Sequence, residues 1–567
     1  MRIGLKSVII SSLAVAVLLV SLLIACAAPQ PTPTPAKPAP TTPTPAAPKP
    51  APSPTPTAPP VAQPKYGGIL HTWSTVAPPH FDAHRKPPYA PLYAMPVFNN
   101  LVQFDITKPD ISPENLVGDL AEKWDVSADG KVITFHLRKG VKWHNGTNFT
   151  ADDVVYSLTK MADKTRSSLT GDFPAFDKAE RVDDYTVKVY LKFPSPSYLL
   201  QLAGTYSVIQ SKASASIDSK STDFIMGTGP FKFKKYTSGV SIEWERNPNY
   251  FKKDASGKQL PYLDGVTMAI MSDKSAIIDA LVTQRLDGHG CFLYNNQDEW
   301  DRGTSQAKAV QANKYTPPSL GLLWLNPNFK QFADVRVREA LRLTFDREQA
   351  TIAGYGNTLW GNLDRTIFTP VYGVPPAEMH KMVGDDKPYA DRVAAAKKLM
   401  ADAGYADGFK MRLVGRTLDV QTRIAQWWSD KLRAINIDAS IVSRELNQAR
   451  EMRDKFDYEI YWDNPLIILG DPDEYTSWFK TGGVNNFAKY SNAEADKLWD
   501  SQAREMDYPK RKAMTQQIER LLIKDAWIFN LGSTKYSSGW QSYVKGWHDM
   551  DAIYTQKLKY ETLWIDK

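Results

Sequence analysis

An α/β fold assembled from two or three packed units is what this sequence predicts, and three observations carry the prediction. The chain has 567 residues, 43% of them hydrophobic, which is too much apolar material for one ordinary core. Segments in which apolar and polar residues alternate with period two recur along the chain, as at Val132–Leu137 and Asp184–Leu191, and this is the pattern of a half-buried strand. Between them lie helical segments such as Thr150–Leu158 and Ala394–Gly404, so strands alternate with helices as a layered α/β architecture requires.

The first 25 residues join a basic start, Arg2 and Lys6, to an apolar run from Ser7 to Ala25 and close on Leu23-Ile24-Ala25-Cys26. This is a secretory leader, and its last four residues resemble a bacterial lipobox, in which Cys26 becomes the lipidated amino terminus. An uncleaved transmembrane anchor is the alternative, because the run approaches spanning length. Either arrangement puts the body outside the cytoplasm. Residues 29–64 hold 16 of the 40 prolines, interleaved with Thr and Ala. Such a tract cannot bury enough surface to fold and favours polyproline II, which makes 26–64 a tether reaching roughly 110 Å when fully extended. Arg2, Lys6, Lys37 and Lys49 sit in leader and tether, so the formal charge of +7 falls to +3 for the body, no footprint for nucleic acid. Once Cys26 is acylated, Cys291 has no partner for a disulfide and is expected as a buried small hydrophobe.

The body opens at Tyr66-Gly67-Gly68 with a strand that runs into the loop Thr75–Phe81. Its most informative stretch is Leu116–Leu158. There Asp129-Gly130 and Asn145-Gly146 supply turn chemistry on either side of the strand Val132–Leu137, and Thr150 with Asp153 forms the capping box of a helix. Gly227-Thr228-Gly229-Pro230 reads as a turn entering a strand, followed by Arg246-Asn247-Pro248-Asn249-Tyr250 and Pro261-Tyr262-Leu263-Asp264-Gly265. Gly321–Leu325 is a short apolar strand, Asp334 leads a helix ending near Asp346-Arg347, and Ala394–Ala403 is a helix closed by Gly404. A helix over Trp427–Ile435, a strand over Phe456–Trp462 and helix starts at Ser491-Asn492 and Asp507-Tyr508-Pro509 complete the pattern.

These segments, in this order and over roughly residues 66–547, resemble the extracellular solute-binding proteins of ABC importers, and within them family 5, which includes oligopeptide, dipeptide and nickel binders. The resemblance implies a two-lobed, hinged, periplasmic-binding-protein-like α/β fold of class II-like topology. It implies one lobe from 65–105, 195–318 and 533–567, an extra subdomain at 106–194 packed on it, and a second lobe at 319–532. It also implies capture of a small-molecule or peptide solute between closing lobes, and delivery to ABC permease subunits by a monomer held outside the cytoplasmic membrane, or in the periplasm, through its lipid anchor. An extracellular sensor or adhesion protein, or an oligosaccharide-binding member, is the alternative.

Enzymatic constellations do not emerge. GxSxG, HExxH, a Walker loop and CxxC are all absent from the sequence, and the eight histidines are scattered, so neither catalytic residues, nor a cofactor, nor a metal site is expected, and His136 and His144 are expected at the surface. Asp471-Pro472-Asp473-Glu474 is the densest acidic group and reads as the first turn of a helix. Peptide-binding members of the family carry, three positions before such an acidic-Pro pair, an acid for the ligand's ammonium. Here that position is Ile468, with Asp463 as a substitute. The resemblance therefore places the ligand between Thr75, Pro79 and Phe81 of one lobe and Trp462 and Asp463 of the other, with Trp324 and Asn326 at the crossover and Trp462 as a stacking platform.

Overall fold

The computed structural model describes residues 63–567, apart from 88, 295, 319, 465–466 and 551–553, and of Asp419 only the backbone. The leader, Cys26 and nearly all of the tether lie outside the described residues.

Gly67 and Gly68, both at positive φ, release the chain into β1 (Ile69–Ser74). The 116–158 stretch then folds as its sequence indicates. β2 (Ala121–Val126) turns at Gly130, with φ 68°, into β3 (Val132–Leu137), whose Ile133, Phe135 and Leu137 face the core while the residues between them do not. Asp153 accepts from the backbone N–H of Thr150 at 3.1 Å at the start of α1 (Ala151–Met161), and also from the Trp143 indole at 3.1 Å and from Lys212 N–H at 2.9 Å. One carboxylate thus caps the helix and pins two neighbouring segments to it. β4 (Phe176–Asp183) and β5 (Thr186–Leu191) complete an antiparallel sheet in the order β2-β3-β5-β4. β6 (Phe231–Thr237), β7 (Ser241–Arg246) and β8 (Gly265–Ile270) form another sheet with β1, in the order β1-β8-β7-β6, β1 lying parallel to β8.

The turn into β6 requires glycine for space: a Cβ at Gly227 or Gly229 would come within 1.9 or 2.4 Å of the Val97 carbonyl oxygen, to which Gly229 N–H donates at 2.7 Å. His144 is half-buried against this turn, not at the surface as expected, with one ring nitrogen 3.1 Å from Gly229 O and the other accepting from Gly227 N–H at 3.3 Å. Burial pushes its pKa down to about 4. His136 pairs with Asp125 at 2.8 Å. Cys291 is fully buried, and desolvation pushes its thiol up to about 12.

Beneath these sheets Asp119, fully buried, accepts from Lys252 at 2.9 Å, from Asn99 at 2.8 Å and from Asn100 N–H at 2.9 Å, and pairs with Lys559 from the far end of the chain. Burial works to raise its pKa, yet the two lysines hold the carboxyl down to about 2.

After α2 (Gln297–Gln306) and β9 (Val310–Tyr315) the chain crosses into the second lobe. Its sheet takes β10 (Leu322–Leu325), β11 (Lys410–Arg416), β12 (Asp438–Arg444), β13 (Ile460–Asp463) and β14 (Ile528–Asn530), in the order β12-β11-β13-β10-β14. β11 runs parallel to β12 and β13, whereas β10 is antiparallel to its neighbours. Both faces are covered. Leu323, Leu413, Ile460 and Trp462 pack with Trp428 on one side; Leu322, Trp324, Val414 and Tyr461 pack with Phe479 and Trp499 on the other. The helices that matter below are α3 (Arg347–Tyr355), α4 (Asp419–Leu432), α5 (Pro472–Phe479) and α6 (Tyr508–Asp525). β15 (Tyr536–Gln541) returns the chain to the first lobe, antiparallel to β9. The outward and return crossings bond to each other, Gly321 N–H to Gly532 O at 3.0 Å and Leu531 N–H to Gly321 O at 2.9 Å.

Trp360, in the segment after α3, leaves the second lobe's cores and is fully buried among Trp73, Ile277, Leu281 and Tyr294. Its indole N–H donates to Gln297 at 2.9 Å, and Lys314 Nζ lies 4.2 Å from the Trp300 ring centre and 4.5 Å from that of Trp360.

Candidate ligand-binding cleft

A cavity of about 410 Å³ opens where the crossing segments meet the second-lobe sheet. Its position follows from chain direction: the parallel strands β11 and β13 both end here, at Arg416 and Asp463, and α4 begins here, which leaves side chains and helix N–H groups facing a crevice. Trp462, 9% exposed, forms part of its wall. A chain of hydrogen bonds fixes that wall: the Trp462 indole and the Gln421 amide both donate to Asn464 Oδ1, at 3.0 and 2.8 Å, and Gln421 Oε1 accepts from Arg416 N–H at 3.0 Å.

Arg416 ends this chain with a guanidinium that has no hydrogen-bond or ion-pair partner among the described residues. Its Nε is buried without a hydrogen-bond partner, and among the described residues no carboxylate lies within ion-pair distance of it. A buried donor in that state gains from an acceptor, because such a partner would recover its desolvation cost. Arg423, on the same wall, donates from Nε to Gly354 O at 3.0 Å. Across the cavity the first lobe contributes Asn296, Asp298 and Tyr536. Tyr355 OH meets Thr534 Oγ1 at 2.6 Å and ties α3 to the return crossing. A second recess, of about 20 Å³, shares Arg416, Gln421, Ile424 and Trp462 with the cavity and runs between the sheet and α4 to Leu413 and Trp428.

Of the seven residues expected to hold ligand, the cavity wall includes Trp462. Phe81 is packed in the first lobe's core, edge-on to Tyr93 at 6.1 Å and Tyr236 at 5.5 Å, while half-buried Thr75 and exposed Pro79 also lie off the cavity wall. Trp324 points to the other face of the sheet, 0% exposed and stacked on Trp478 and Phe479. Asn326 sits beyond the far end of β10 and donates to Phe456 O at 2.9 Å. Asp463 faces away from Trp462, as strand alternation dictates, and its carboxylate takes Arg453 at 3.0 Å, so it has no free charge for a ligand.

The acidic group is structural as well. Asp471 caps α5 by accepting from Asp473 N–H at 3.0 Å, and holds Arg511 in a two-point buried pair at 2.7 Å each. Glu474 accepts from the N–H groups of Ile468, Leu469 and Gly470 at 3.3, 2.9 and 2.7 Å, and burial pushes its carboxyl up to about 7.

The family model for bacterial extracellular solute-binding proteins, family 5 (middle), matches residues 115–487, more than half of the chain. Di/tripeptide-binding protein 1 of Pseudomonas aeruginosa is 29% identical over 493 residues, covering 80% of this chain and 86% of that protein. Heme-binding protein A of Haemophilus influenzae is 26% identical over 501 residues, covering 81% and 86%. Among solved structures, the ABC transporter substrate-binding protein CtaP of Listeria monocytogenes superposes with a TM-score of 0.75 at 24% identity, over 89% of this chain and 100% of that one. The periplasmic binding protein DppA of Helicobacter pylori, in complex with a peptide, gives 0.70 at 23% identity, over 89% and 99%. These structures share the two-lobed fold.

Proposed function

Because the chain belongs to the bacterial extracellular solute-binding proteins of family 5, we propose that it is the capture component of an ABC importer, binding a peptide or other polar organic solute in the cleft between its lobes. The observation that carries the reading is the cleft wall at Arg416, where a buried donor has no partner among the described residues beside a hydrogen-bonded Trp462. Relatives named for di- and tripeptides support a peptide, and one named for heme supports a wider range. The protein performs no catalytic step and needs no cofactor. It works as a monomer, lipidated at Cys26 and standing off the outer face of the cytoplasmic membrane on its proline-rich tether, and hands the closed, loaded form to permease subunits. Closure is a population shift, driven only by the preference of the solute for the closed form.

Native mass spectrometry of protein from its own source should find a co-purified solute, and X-ray scattering of the tether-free body should show a smaller radius of gyration with that solute than without it. An unchanged radius at saturation would refute closure. For the anchor, a Cys26→Ser protein that stays uncleaved in the membrane fraction would show a transmembrane leader instead.

A further inference from the structure

The two lobes touch through a further set of side chains, apart from the crossings and Trp360. In the first lobe the turn Phe193-Pro194-Ser195-Pro196-Ser197 is stiffened by its prolines, and Pro194 lies so close over the Gly130 turn that a Cβ at Gly130 would come within 3.0 Å of it. Ser195 and Ser197 are both buried, with their hydroxyl oxygens 3.1 Å apart, and the Ser197 hydroxyl donates to Asp473 of α5 in the second lobe. Its own lobe sets Asp473 in place: Gln502 donates to the other carboxylate oxygen at 2.7 Å, and Arg511 lies 3.5 Å from that oxygen. Beside this bond Ile468 and Leu469 pack against the first lobe's core, their N–H groups fixed by Glu474. Arg504 stands over the Phe193 ring, 5.1 Å from its centre.

Phe193, Ser197, Ile468 and Asp473 lie off the cavity wall, so they can meet whatever the cleft holds. Opening the lobes would return the hydroxyl and the carboxylate to water and expose two apolar side chains, hence each contact favours the closed form. Asp473 keeps Gln502 and Arg511 when the lobes part, so opening leaves no charge stranded and the contact can release as well as hold. We infer that Ser197 and Asp473, with Ile468 and Leu469 beside them, form a latch by which the lobes hold each other closed through their own side chains. Because it is indifferent to the solute, the latch raises the binding-competent fraction for every solute alike, and so adds retention without adding selectivity. This latch presupposes the proposed reading, in which the lobes close on a solute.

Closed and open populations can be read in the full chain, in detergent, from electron–electron distances between nitroxides carried on ketone-bearing residues introduced at the exposed positions Asp177 and Lys497, one on each lobe. Without solute, Ser197→Ala should lower the ratio of closed to open about tenfold, and Asp473→Ala, which reads the same bond from the other lobe, by a similar factor. The double variant should open no further than the more open of the two single ones. Ser195→Ala removes a hydroxyl that stays within the first lobe and should leave the ratio within about twofold of the parent; a tenfold fall there would overturn the latch, because the turn and not the bond between lobes would set the ratio. Ratios within about twofold of the parent in Ser197→Ala and Asp473→Ala, in a protein whose distances still shorten when its co-purified molecule is bound, would overturn the latch and leave the solute reading intact. Either of these variants decides alone if the other does not fold. Distances unchanged by that molecule and by every variant would overturn closure itself, and the latch with it.

Discussion

The ground beneath the first lobe's sheets, around Asp119, and the cleft wall around Arg416 each withdraw a charge from water and then treat it in opposite ways. Asp119 is met by two lysines and two asparagines, one of the lysines from residue 559, so the chain's end closes on a group near its beginning. The guanidinium of Arg416 is met by no partner among the described residues. A completed network of buried charges specifies one packing and tolerates no loss, while an incomplete one is stable enough only because the cavity gives it partial access to solvent, and it waits for a partner from outside. On the proposed reading of the cleft, the difference separates side chains that hold the fold from side chains offered to a solute.

Several substitutions would break or sharpen this contrast. Asp119→Asn should have the largest effect, because it strands Lys559 without its paired carboxylate and leaves Lys252 with Glu561 alone, at 3.3 Å; urea unfolding should lose about 3–5 kcal/mol, and a loss under 1 kcal/mol would mean that the network is not needed. Trp462→Ala should cost about 3 kcal/mol in the unloaded protein, since the indole is packed against Trp428 and Leu413 as well as lining the cleft. Its loss would also weaken solute binding, so affinity falling at unchanged stability would show the ring to be a pure stacking platform.

Glu519 on α6 is a middle case, fully buried and accepting from Val374 N–H at 2.8 Å and from Ile367 N–H, with its carboxyl pushed up to about 7 by burial. A carboxyl raised in the folded state binds its proton more tightly there than in the unfolded chain. Its contribution is therefore most favourable in acid and is lost as pH rises from the ordinary glutamate range to about 7, by about 3 kcal/mol. Glu519→Gln removes that slope, so its stability relative to the parent should climb by this amount across the window; a flat difference would show that the group is ionised in the fold. Arg416→Met should have the smallest effect on folding, within about 0.5 kcal/mol, while weakening an acidic solute by about 2 kcal/mol. A large loss of stability there would mean that the guanidinium is structural after all and would erase the contrast.

What the sequence discloses follows the range of the interaction. The strand Val132–Leu137, the cap at Thr150 and the helix starts at Asp471-Pro472 and Asp507 are set by neighbours a few residues away, and each stands where its pattern indicates. Trp324 was misplaced because a sheet covered on both faces has no polar side to mark direction: Leu322–Leu325 is apolar throughout, and only register decides which residue faces the cleft. Trp462 carried the same ambiguity and happened to face it. Arg416 had a readable signal, a basic residue ending a strand just before a helix. Its importance lies in the partner it lacks, a fact about three-dimensional neighbours that no local pattern states.

Trp360 lies in sequence between the two crossings, yet its side chain lodges with Trp73, Ile277 and Trp300 on the other side. Anyone exchanging lobes between relatives to transplant specificity would sever an anchor while cutting only loops: the incoming lobe would carry an indole with no socket, and the resident lobe a socket with no indole. A chimera that keeps its fold has to move residues 355–362 together with the pocket that receives them.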